Sequence, residues 1–118
     1  MKDFKVQIIA LIEQKISALK DKIQIGAVDA ETEAPYAVIN APVETAIRTI
    51  HGIAGYDTTF DLLVFHTKLS ECENLKNQIV DALESKNLET KTCLYKSSEY
   101  SYFHELNIHG YTLTFKII

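Results

Sequence analysis

The chain is 118 residues long and carries 36 Leu, Ile, Val and Phe, enough for the core of a single domain across residues 1–118 and too many for intrinsic disorder. Its formal net charge is −4, and of its 12 basic residues only Arg48 is an arginine. Nucleic-acid backbones are held by clustered cations, with guanidinium groups making the bidentate contacts, so this composition excludes a nucleic-acid partner of that kind.

The first segment places Phe4, Ile8, Leu11, Ile12, Ile16, Leu19 and Ile23 at steps of three and four, which draws one apolar stripe along a helix. Lys20 and Lys22 suit its C-terminal end and Gly26 stops it, so the spacing predicts a helix from Phe4 to Lys22. Val6 and Ile9 fall off the stripe and leave two readings, a wide buried face or a contact with another chain. The longest apolar run here, Ile8 to Ile12, is too short for the core of a signal peptide and far short of the about 20 residues of a membrane span, so neither is expected.

Extended segments follow. Residues 35–40 form a short run between Pro35 and Pro42, suited to a sheet edge because proline donates no ladder hydrogen bond. From Tyr56 to His66 the even positions share one face, while the other face is polar at Asp57, Thr59 and Asp61 and apolar at Leu63 and Phe65. Thr45 to His51 is β-branched and Gly52-Ile53-Ala54-Gly55 supplies turn residues, which predicts one long hairpin; a short helix over Val43 to Ile50 is the competing reading.

Ser70-Glu71-Cys72-Glu73 matches a capping box, and Cys72, Leu75, Ile79, Ala82 and Leu83 then repeat at helical spacing up to a left-handed stop at Asn87. The last third reads as a strand from Leu88 to Tyr95, a polar turn at Ser97-Ser98-Glu99, and a long strand from Tyr102 to Ile118 with Tyr111, Leu113, Phe115 and Ile117 on one face. Two helices on one face of a mostly antiparallel sheet of four to five strands is the α+β solution.

No catalytic or metal-binding set emerges. His104 and His109 are five apart in a predicted strand, which sends them to opposite faces, whereas a zinc-binding helix needs histidines four apart. His51 and His66 meet only if the hairpin pairs its ends, and they lack a carboxylate or cysteine beside them. Cys72 and Cys93 form no C-x-x-C and are too few for a disulfide framework; two half-buried thiols in a reducing cytosol are expected. The serines sit in no Gly-x-Ser-x-Gly elbow, and Gly52 and Gly55 are too sparse to cradle a phosphate. No catalytic activity, cofactor or metal is expected.

The order of these elements, with the acidic loop Asp29-Ala30-Glu31-Thr32-Glu33, the opening Ala34-Pro35-Tyr36-Ala37-Val38-Ile39, the passage from strand Tyr56–Phe65 into helix Ser70–Leu83, and Tyr102-Phe103-His104-Glu105-Leu106 before a closing strand, resembles the tail-completion and tail-terminator proteins of long-tailed phages and prophages. The resemblance covers nearly the whole chain. It implies a structural protein, assembled in the bacterial cytoplasm and resident at the head–tail junction. Copies of itself, usually six, would form a ring that caps the tail tube protein, halts tube growth and meets the head–tail connector protein. The strongly charged faces common in such rings are muted here. Residues 29–61 hold six acids (Asp29, Glu31, Glu33, Glu44, Asp57, Asp61) against Arg48 alone, and residues 1–28 hold five lysines against three acids. These could meet between neighbours or simply be solvated, since exposed ion pairs are worth about 0–1 kcal/mol each.

Function concentrates on loops held by a scaffold, so the expected subunit and tube interface is Asp29, Glu31, Glu33, Arg48, Gly52, Ile53 and Gly55. Ile53, at the expected hairpin tip, either folds back on the sheet or inserts into a neighbour. The competing function is a small α+β enzyme or ligand-binding module whose pocket, near the C-terminal hairpin, is lined by Tyr95, Tyr100, Tyr102 and His104. A deep enclosed cavity would favour that reading, and protruding loops with flat sides the first.

Overall fold

The computed structural model describes residues 4–26, 34–40, 42–88 and 91–117. The acidic loop with Asp29, Glu31 and Glu33 lies outside the described residues. The first apolar stripe forms helix α1 over Phe4–Lys15, shorter than its periodicity predicts. The last helical hydrogen bond runs from the Ile16 amide to the Ile12 carbonyl at 2.8 Å, and Ile16 itself is extended (φ −121°, ψ 94°). A 3₁₀ turn follows at Ser17–Leu19, and Ile23–Ile25 become strand β1, paired in parallel with strand β2, Tyr36–Ile39. The stripe is thus divided. Ile8, Ile12, Ile16 and Leu19 enter the core, whereas Ile23 reaches it from the sheet. Gly26 (φ +84°) closes β1 rather than the helix, its amide bonded to the Ile39 carbonyl at 2.8 Å.

The long hairpin is present as strand β3, Val43–Thr49, and strand β4, Gly52–His66; the short helix over Val43 to Ile50 does not form. Its turn is displaced from the expected glycine stretch. Thr49 pairs with Gly52, so Ile50 and His51 make a two-residue loop, with Gly52 at φ +115° and Gly55 inside β4 opposite Ile47. The positive φ falls not on Ile50 or His51 but on Gly52, the residue that follows them, where a left-handed glycine commonly completes a hairpin turn. Ala54 is the extra residue of a bulge between the Ile47–Gly55 and Arg48–Ile53 pairs.

Helix α2 spans Leu69–Leu83 and buries Cys72, Leu75, Ile79, Ala82 and Leu83, the stripe that its spacing predicts. The capping box does not form. Lys68 is the N-cap without a side-chain cap bond, and Ser70 lies within the first turn. Strand β4 runs to His66, whose Nδ1 accepts the Lys68 amide at 3.0 Å, so the helix must start at once. At the other end Ser85 (φ +61°), not Asn87, takes the left-handed conformation, and its amide on the Cys93 carbonyl at 2.8 Å draws the chain into strand β5, Lys86–Leu88.

Strand β6 covers Lys91–Phe103 and strand β7 Ile108–Ile117. Ser97, Ser98 and Glu99 do not turn. They pair with Thr114, Leu113 and Thr112, with a bulge at Lys96, and the chain reverses at 104–107 with Asn107 at φ +51°. Among the described residues the result is α+β, with seven strands rather than four or five, ordered β1-β2-β4-β7-β6-β5 with β3 also on β4, and only the β1–β2 pair is parallel. Both helices contribute to one core with the sheet face that carries Phe60, Leu62, Val64, Leu113 and Phe115. Ile9 packs against that core, while Val6 stays exposed.

Candidate functional site

Among the described residues strand β4 pairs with β7 only from Thr58 onward, so Gly52 to Asp57 are backed there by β3 alone and project as a two-stranded arm. The molecule is correspondingly long, 51 × 28 × 23 Å with a radius of gyration of 15.2 Å, where a compact chain of this length would have about 13.5 Å. At the arm's root Lys116 meets Asp57 at 3.4 Å, an exposed pair of little energetic weight. The arm leaves Ile47, Ile50 and Ile53 in water, and Val43 is exposed below its root; Ile50, on the turn, is 95% exposed.

Of the expected interface residues, Arg48, Gly52, Ile53 and Gly55 lie together on this arm. Ile53 is half exposed and stands opposite Arg48, back from the tip. The tip side chain is Ile50, which the sequence reading passed over. The signal for it was present in Thr49-Ile50-His51-Gly52, a β-branched strand followed by one residue pair and a glycine.

At the opposite end of β4, His66 pairs with His109, and His109 with Tyr102, which brings the β6–β7 turn beside the start of α2. His104 and His109 flank one ring, with centroids 4.6 and 4.8 Å from that of Tyr102. The turn after Phe103 is what brings them together, since His104 lies outside the regular strand. His109 is nonetheless committed to a local bond, with the Tyr100 hydroxyl 2.7 Å from its Nδ1, and the Tyr102 hydroxyl between the two imidazoles donates to Asn107 Oδ1 at 2.6 Å. Among the described residues no group of three His, Cys, Asp or Glu could hold a metal ion. His51 and His66 stand at opposite ends of β4 and do not meet.

Cys72 and Cys93 are free and fully buried rather than half-buried. Burial pushes the Cys72 thiol up to about 11, with Glu73 adding to the rise, and Cys93 up to about 12, with Glu84 adding. Neither is a thiolate nucleophile at neutral pH. The expected tyrosine pocket is divided. Tyr95 packs on Phe115 against the core, whereas Tyr102 and His104 line a surface depression of about 340 Å³ with Phe103, Glu105 and Leu106. A second depression, of about 370 Å³, lies between the helices and β5, lined by Leu11, Gln14, Lys15, Asp81, Ala82 and Lys86. What this arrangement offers is contact surface, with exposed apolar side chains on a protruding arm and at the far end.

No protein-family model and no curated protein matches this chain. Among solved structures, one chain of the virion of a native gene transfer agent particle superposes on it with a TM-score of 0.70, over 92% of this chain and 91% of that one, at 10% sequence identity. At that identity the likeness is one of fold.

Proposed function

We propose that this chain is a structural protein of a phage-like particle, a ring subunit that caps the tail tube and joins it to the head connector. The observation that carries the reading is the nearly full-length likeness to a chain of a gene transfer agent virion, over 92% of this chain. The projecting arm supports it, because a two-stranded ribbon is marginal in water by itself and exposed apolar side chains on it gain by being covered. The tail tube, the connector and further copies of the chain are the partners, assembly takes place in the bacterial cytoplasm, and the finished site is the head–tail junction. The arm residues Arg48, Gly52, Ile53 and Gly55 belong to the subunit and tube interface, as do Asp29, Glu31 and Glu33. No helix among the described residues is long and apolar enough to cross a membrane.

Negative-stain images of the purified protein mixed with its cognate tail tubes test the reading. Added density at one end of each tube, with tubes of uniform length when the protein is present during growth, is the expected result. Tubes unchanged in end structure and length would overturn it.

A further inference from the structure

Most of the large apolar side chains left in water among the described residues gather toward the two ends of the molecule, the exceptions being Val6 on α1 and Ile25 on β1. Ile47, Ile50 and Ile53 lie on the arm with Val43 below its root, and Leu69, Tyr100, Phe103 and Leu106 lie where the β6–β7 turn meets the start of α2. Each end also carries a charge with no ion-pair partner among the described residues, Arg48 on the arm and Glu105 in the turn. One end is a knob, a single β-branched side chain on a two-residue loop; the other is a depression of about 340 Å³ walled by Tyr102, Phe103 and Leu106. Within one copy the two cannot meet. Gly52 and His66 bound a 15-residue strand, which at about 3.3 Å per residue keeps tip and turn more than about 40 Å apart.

We propose that the arm of one copy docks on the far end of a second copy, with Ile50 seated against Tyr102, Phe103 and Leu106 and Arg48 paired with Glu105. The occupant is a second copy because knob and depression, and cation and carboxylate, are complementary features of the same chain placed at opposite ends. Two different patches in contact make a heterologous joint, which closes into a ring when the rotation between copies permits and runs on as a filament when it does not. The proposal deepens the ring reading, on which it rests for the joint's biological use, by naming the contact between neighbouring subunits.

Cysteine pairing between copies tests it without tail tubes. Ile50→Cys and Leu106→Cys variants are mixed at about 100 µM, a concentration at which even a weak contact is populated, and oxidised with copper phenanthroline. Cys72 and Cys93 are buried, so the unmodified chain serves as a silent control. Links between positions 50 and 106 should far outnumber 50–50 and 106–106 links. Placing Arg48→Glu on the first variant or Glu105→Arg on the second should lower the yield about two- to fivefold, the range of an exposed ion pair, and combining both reversals should restore it. A yield of 50–50 links equal to that of 50–106 links, no link above the control, or no recovery in the double reversal would each overturn the proposal. Its failure is separable from that of the ring reading. Tubes capped without a 50–106 link refute the joint alone, and a specific link with tubes left uncapped refutes the capping role alone.

Discussion

Gly110 is the one described glycine whose missing side chain is used for packing. It is buried on β7, where an added Cβ would stand 3.0 Å from two carbons of the Phe65 ring and 3.3 Å from the Phe103 ring. Phe65 cannot simply swing away, because its ring is held between Tyr36 and Phe103 at centroid separations of 4.9 and 5.8 Å. Gly110→Ala should therefore cost about 1–3 kcal/mol, the range for overpacking a tight site, read as a lower urea midpoint with an unchanged slope; an unshifted midpoint would show that the rings yield freely. The cysteines make a second prediction at this scale. Both thiols are held above an ordinary value near 9, at about 11 for Cys72 and about 12 for Cys93. Well below pH 9 they are protonated folded and unfolded alike and contribute no pH dependence. Above it the unfolded chain loses their protons first, so stability should fall between pH 9 and 12. Replacing both with Ala should flatten that decline in melting temperature, measured against the same pair at pH 7.

At the scale of elements, α2 separates what periodicity reveals from what it does not. Its five buried side chains follow from spacing alone, since burial on a helix is a matter of face. Its start does not, because the two residues between His66 and Leu69 leave no room for Ser70 to act as a cap. Ser70→Ala should accordingly cost less than about 0.5 kcal/mol, where loss of a working N-cap costs about 1 kcal/mol; a loss near 1 kcal/mol in denaturant unfolding would show that the hydroxyl caps after all. The same limit explains the other misplaced boundaries. Alternation marks Leu113, Phe115 and Ile117 as one buried face, but it is silent on where a chain reverses. Ser97, Ser98 and Glu99 look like a turn and stay extended because β7 supplies partners for all three. Ile23 continues a helical stripe in sequence yet aligns with Ala37 in a parallel strand pair. The arm's position was legible as a β-branched run beside glycines, whereas its tip depended on the pairing of Thr49 with Gly52.

At the scale of the molecule, length and exposure set what the free protein should do. The arm buries little of its own surface, and for a ring subunit of the kind proposed, contacts between copies tight enough to persist at low concentration would sequester subunits before they reached a tube. The free chain should therefore sediment as a monomer or a weak equilibrium at micromolar concentration; a closed hexamer persisting at nanomolar concentration would contradict this. The arm itself gives the sharpest separation of folding from function. Ile53 is half exposed, outside the buried core, and supported by a cross-strand neighbour, Arg48, rather than by the helices. In the free subunit Ile53→Asp should leave circular dichroism unchanged and cost no more than about 1 kcal/mol, the span of strand propensity at a surface position. In a packed joint the same carboxylate would be stripped of water without a partner arranged for it, so tube capping should be lost while the melting temperature is nearly kept. Arg48 lies near enough to offset part of that penalty, so Ile53→Asp combined with Arg48→Ala should be the more damaging variant for capping and no more damaging for the fold. If Ile53→Asp instead unfolds the free monomer, the arm is part of the folding unit and the joint lies elsewhere.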